Sequence, residues 1–108
     1  MKELSNSEKI VMACVYKHIA NTNEKPNVHD INELLLNTYG IEWKLQTLCT
    51  FLKRIENKGY ITSERIKRFS YYTPVMEYDS YIKAELQNMA NIYFDGNVKE
   101  IVKHIIVY

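Results

Sequence analysis

The stretch from Trp43 to Gly59 constrains this chain more than any other. Read as a helix, Trp43-Lys44-Leu45-Gln46-Thr47-Leu48-Cys49-Thr50-Phe51-Leu52-Lys53-Arg54-Ile55-Glu56-Asn57-Lys58-Gly59 puts Leu48, Phe51, Leu52 and Ile55 on one face. This is the i, i+3, i+4, i+7 spacing of a helix packed on a core. The opposite face carries Gln46, Thr50, Lys53 and Asn57, flanked by Thr47, Cys49 and Arg54, and no acidic residue lies on it. Short hydrogen-bonding side chains meet base edges and cations meet phosphates, so this face suits a DNA major groove. A merely solvated surface helix looks the same in isolation, and the rest of the chain has to decide.

Two helices are predicted ahead of it. Ser5-Asn6-Ser7-Glu8 has the spacing of a capping box, and Ile10, Val11, Cys14, Val15 and Ile19 recur with helical period, which gives a first helix from about Asn6 to His18. The polar run Asn21–Pro26 is a loop. A second helix follows from about Val28 to Thr38, capped by Asn27, with Ile31, Leu34, Leu35 and Tyr39 inward and Gly40 at its end. The third helix is the opening stretch, about Lys44 to Asn57. Lys58-Gly59 is a helix-end pair: a cation at the negative end of the dipole, then a glycine.

From Tyr60 the character changes. Ile61–Glu64 and Phe69–Thr73 are rich in β-branched and aromatic residues and flank a basic tip, Arg65-Ile66-Lys67-Arg68. This predicts a β-hairpin closed by Pro74. Three short helices and a basic hairpin, in that order, make a winged helix-turn-helix. A helix in the major groove places such a wing over the flanking phosphates. The candidate DNA contacts are therefore Lys44, Gln46, Thr47, Thr50, Lys53 and Arg54 on the helix, and Arg65, Lys67 and Arg68 on the wing.

The remainder is helical and oily. Tyr78, Tyr81, Ile82, Leu86, Met89, Ile92 and Tyr93 mark a helix from about Tyr78 to Tyr93. Asp95-Gly96-Asn97 is a turn, and Val98, Ile101, Val102, Ile105 and Ile106 mark a last helix running to the terminus. Two helices cannot bury this much apolar surface on each other alone. The winged domain is one partner for it. A second copy of the same tail is the preferred one, because helix-turn-helix repressors read inverted repeats as dimers. The candidate dimerisation residues are Tyr78, Tyr81, Ile82, Leu86, Met89, Ile92, Tyr93, Ile101, Val102 and Ile105. The fold class expected is mainly α with a small β-hairpin: residues 1–75 a winged-helix DNA-binding domain, residues 76–108 a two-helix dimerisation segment.

Charge agrees with this division. The net charge is only +1, which argues against a general basic coat. Between Lys44 and Arg68, however, seven basic residues face only Glu56 and Glu64, whereas the tail leans acidic. No apolar run is long enough to span a membrane and no signal-peptide pattern opens the chain, so a cytoplasmic protein is expected. Cys14 and Cys49 read as reduced thiols. An oxidant-sensing role for Cys49 would require a stabilised thiolate. His18, His29 and His104 lack metal-ligand spacing, and neither a phosphate loop nor a nucleophile elbow is present. Neither metal nor cofactor is expected, and no catalytic constellation supports an enzyme.

The sequence resembles the penicillinase-repressor family, the winged-helix repressors of bacterial β-lactamase and methicillin-resistance genes. Ser5-x-x-Glu8-x-x-Val11-Met12 is similar to its opening helix, and Trp43-x-x-x-Thr47-Leu48-x-Thr50-Phe51-Leu52-x-Arg54-Ile55-x-x-Lys58-Gly59-Tyr60-Ile61 to its recognition helix and wing start. Tyr71-Tyr72-Thr73-Pro74 resembles the wing end, and Tyr93, Asp95-Gly96 and Ile101-Val102 the dimerisation helices. The resemblance implies a homodimeric repressor on a palindromic, double-stranded operator, with Thr47, Thr50 and Arg54 at DNA-contact positions. Two neighbours depart: the family often has a basic residue at Gln46 and an arginine at Cys49. The best-known members also continue through one further helix, which implies a dimer interface here that is either smaller or built differently. A membrane sensor-protease is a partner by this resemblance only. The family's Asn-Phe cleavage pair falls on His104-Ile105, so cleavage is not carried over.

Two other readings stay open at this level. A protein-interaction module or antirepressor on the same scaffold would lack specific DNA binding, in keeping with the uncharged Gln46 and Cys49. Winged-helix dimers with helical tails, such as the phenolic-acid-response repressors, share the outline.

Overall fold

A computed structural model describes residues 2–106. They form α1 (Asn6–Thr22), α2 (Val28–Tyr39), α3 (Leu45–Asn57), β1 (Ile61–Ile66), β2 (Phe69–Pro74), α4 (Tyr78–Tyr93) and α5 (Lys99–Ile105). The chain divides into two compact units, Met1–Val75 and Met76–Tyr108. The first is a winged helix: three helices, then a two-stranded antiparallel hairpin. No described helix is long and apolar enough to cross a membrane.

Capping boxes set the starts of α1 and α2. Ser5 Oγ accepts from the Glu8 amide at 3.2 Å and Glu8 Oε1 accepts from the Ser5 amide at 2.7 Å, which completes the expected capping box. α2 has a second box: Asn27 Oδ1 accepts from the Asp30 amide and Asp30 Oδ2 from the Asn27 amide, both at 3.0 Å. Each box satisfies two amides that a helix start leaves without partners. α1 runs one turn beyond the expected His18. Thr22 Oγ1 donates to the His18 carbonyl, and Asn23 takes the left-handed position (φ 59°) with its amide on the Ile19 carbonyl. Gly40 closes α2 at φ 66°, as its position predicts.

The core of the first unit joins Val11, Met12, Cys14, Val15 and Tyr16 of α1 to Ile31 and Leu35 of α2 and Leu48, Leu52 and Ile55 of α3. Ile61 and Tyr72 of the hairpin are buried as well. α1 packs on α2 and α3, and β1 packs on α3. Tyr39, expected inward, is exposed, and Leu34 is half-buried. β1 and β2 pair from Ile61↔Pro74 to Ile66↔Phe69. The Tyr72 amide points away from β1 and donates to the Pro26 carbonyl at 2.9 Å, tying the hairpin to the loop between α1 and α2.

One contact in this unit joins residues fifty positions apart in the sequence. Glu8 is only 2% exposed, and its Oε1 receives Lys58 Nζ at 2.7 Å. Lys58 also donates to the Glu3 carbonyl, and the Tyr60 hydroxyl donates to the Lys2 carbonyl. The start of the chain is thus held against the junction of α3 and the hairpin.

In the second unit α4 has the expected bounds and packs with α5. Phe94, just past α4, lies 5.1 Å from the His104 ring of α5. α5 is shorter than expected: it stops at Ile105, and Ile106 is extended (φ −67°, ψ 121°). The Ile105-Ile106 pair is β-branched, which favours extended backbone over further helix. The remaining continuation to the terminus, residues 107–108, lies outside the described residues.

Candidate nucleic-acid interface

α3 turns Leu48, Leu52 and Ile55 inward, so its other face is solvent-accessible. Lys44, Gln46, Thr47, Thr50, Lys53 and Arg54 are all exposed there, together with Cys49. Lys44 is the helix N-cap, yet its side chain makes no capping bond. Among the described residues neither Lys44 nor Lys53 has an ion-pair partner. Thr50 Oγ1 donates to the Gln46 carbonyl at 3.0 Å, which leaves the oxygen's lone pairs able to accept and the side chain exposed.

The one carboxylate of α3 is turned off this face. Glu56 is half-buried and accepts from Ser63 Oγ of β1 at 3.0 and 3.2 Å. That bond orients the carboxylate toward the hairpin and ties the hairpin to the helix.

Phe51 departs from the expected core stripe. It is half-buried and stacks on Trp43, with centroids 4.7 Å apart and planes 26° apart. The Arg54 guanidinium lies 5.7 Å from the same ring. Trp43, Phe51 and Arg54 therefore form a stack along one side of α3. The guanidinium keeps its donors at the rim of its plane, where they remain able to meet phosphate or base.

In the wing, the tip is shorter than the sequence suggests. Only Lys67 and Arg68 form the turn, because Ile66 already pairs with Phe69. Arg65 is a strand residue paired with Ser70 and is exposed. Lys67 sits at φ 57°, a left-handed position that a side chain rarely takes. The Arg68 guanidinium lies 5.9 Å from the Phe69 ring. Lys58, which the sequence groups with the basic stretch, is committed to Glu8 instead. No local pattern signals that pairing, since the two residues stand fifty positions apart.

The candidate dimerisation residues divide by exposure. Tyr81 and Ile101 are buried and Ile82 is half-buried, while Tyr78, Leu86, Met89, Ile92, Tyr93, Val102 and Ile105 are exposed. Tyr93 and Ile105 are the most open of these, at 73% and 66%.

No curated protein matches the chain. The model of the family described as penicillinase repressor matches residues 4–108, which takes in every helix, the hairpin and the tail. On that match and this fold, the chain belongs to the penicillinase repressor family and is a DNA-binding transcriptional repressor rather than an enzyme.

Proposed function

We propose that the protein acts as a cytoplasmic homodimer on an inverted-repeat operator, each copy laying α3 in the major groove and its wing on the flanking backbone. The observation that carries this reading is the exposed face of α3. It presents Gln46, Thr47 and Thr50 beside Lys44, Lys53 and Arg54, with its only carboxylate withdrawn to Ser63. Short polar groups read base edges, and unpaired cations replace the counterions that phosphates release. Lys67 and Arg68 extend the same charge onto the wing. The exposed apolar residues of α4 and α5 support pairing of two copies, which sets half-sites about one helical turn apart.

Footprinting on the protein's own upstream DNA tests this. The expected result is two protected half-sites with dyad symmetry, and affinity that falls steeply with salt. Arg54→Ala and Thr47→Ala should each weaken specific binding about five- to a hundredfold, with little effect on non-specific duplex. Wild-type affinity retained in both variants would overturn the assignment of α3 to the groove.

A further inference from the structure

Resting on the operator-binding reading above, we infer that Gln46 is a specificity-determining residue that selects an adenine in each half-site. Gln46 is the second residue of α3, within the first turn, and exposed. The N-terminal residues of a helix laid in the major groove are the ones that reach base edges. A glutamine amide offers one donor and one acceptor side by side. This matches the N7 acceptor and N6 amino group of adenine, and no other base presents that pair in the groove.

The amide is also uncommitted. Among the described residues, the Gln46 side chain makes no hydrogen bond. The chain's other glutamine differs: Gln87 Nε2 donates to Asn91 Oδ1 at 2.8 Å and to the Gly96 carbonyl at 3.2 Å. Thr50 stands one turn further along α3 and gives its hydroxyl proton to the Gln46 backbone carbonyl, not to its side chain. Thr50 therefore presents an acceptor and a methyl to the next part of the groove, about 6 Å along the helix axis. At about 3.4 Å per base step, the two residues address bases one or two steps apart. Neither competes with the other for a partner.

The experiment is selection of binding sites from a random duplex library, followed by anisotropy titrations of single-base variants. Wild type should prefer adenine at one position of each half-site by about tenfold to a hundredfold over the other bases. Gln46→Ala should flatten that position to within about threefold while leaving the rest of the motif intact, and Gln46→Arg should move the preference to guanine. Replacing that adenine by 7-deaza-adenine removes the N7 acceptor while keeping the base pair. It should weaken wild type several-fold and leave Gln46→Ala unaffected. If all three proteins select the same motif, the inference is overturned and the operator-binding reading stands. If wild type enriches no sequence at low salt, the operator-binding reading fails and takes the inference with it.

Discussion

Lys58 Nζ lies 2.7 Å from Glu8 Oε1, joining the end of α3 to the first turn of α1 through a buried carboxylate and a partly exposed ammonium. Glu8 Oε2 has no partner among the described residues. Burial by itself would raise the Glu8 pKa, but the Lys58 ammonium and the Ser5 hydrogen bonds outweigh it and hold the carboxyl below its ordinary value of 4.5. A carboxylate depressed in the folded state stabilises fully above its unfolded pKa and loses that contribution as pH falls through the folded value. Stability should therefore begin to drop as pH goes below about 4.5. Lys58→Met strands a buried carboxylate and should cost about 3 kcal/mol at neutral pH, with a flatter acid limb in urea titrations. Glu8→Gln keeps the capping geometry and should cost less.

Lys44 caps α3 without using its side chain, although its backbone (φ −65°, ψ 146°) suits a capping serine or aspartate. Lys44→Ser should stabilise the first unit by about 1 kcal/mol. In thermal melts that is a rise of about 4–8 °C. The same change removes a cation from the α3 face and should lower the slope of log affinity against log salt by about 1. A gain in stability accompanied by weaker DNA binding would mark Lys44 as a position where function outweighs capping.

Lys67 at φ 57° separates charge from fold in the wing. Lys67→Gly removes the strain of a side chain in the left-handed region, about 1 kcal/mol, and offsets most of it through the added freedom of the unfolded chain. Stability should stay within about 0.5 kcal/mol of wild type or rise slightly. Non-specific and specific DNA affinity should both fall by a similar factor, since a phosphate contact carries no sequence information. Loss of sequence preference instead would place the wing tip on bases.

Tyr93 and Ile105 test the pairing of two copies. Tyr93→Asp and Ile105→Asp put charge on side chains that are 73% and 66% exposed, so the single chain should fold unchanged. Sedimentation should show a shift toward monomer, because an unpaired charge buried at an interface is strongly unfavourable. Operator affinity should fall with it while binding of one isolated half-site is retained.

The fold was largely legible because its elements obey local rules. Helical spacing in α1, α2, α3 and α4, the Ser5 and Asn27 caps, Gly40, and the change to β-branched residues after Tyr60 each mark an element within a few residues. The errors share a different origin. Phe51 has the right phase for the core, but the neighbouring Trp43 offers a ring to stack on and draws it to the edge. Met12 and Tyr16 are buried off the main stripe of α1, since that helix is covered by two helices and by β2. Arg65 is a strand residue because two residues suffice for the turn. Glu8 looks like a capping residue alone, and its bond to Lys58 depends on how α1 and α3 meet. In the interface, residue identity and exposure were readable on α3, whereas the withdrawal of Glu56 to Ser63 and of Lys58 to Glu8 needed the packed hairpin and helices.

The chain's two cysteines sit in opposite settings, Cys14 buried with its thiol pushed up to about 11 by burial, Cys49 exposed on the outer face of α3. Only the thiolate reacts with a maleimide or iodoacetamide. Native protein should therefore take up one label rapidly, at Cys49, and a second only on unfolding. A single cysteine alkylation experiment then reports on two processes at once, the opening of α1's packing through Cys14 and the occupancy of the α3 face through Cys49, without any engineered probe.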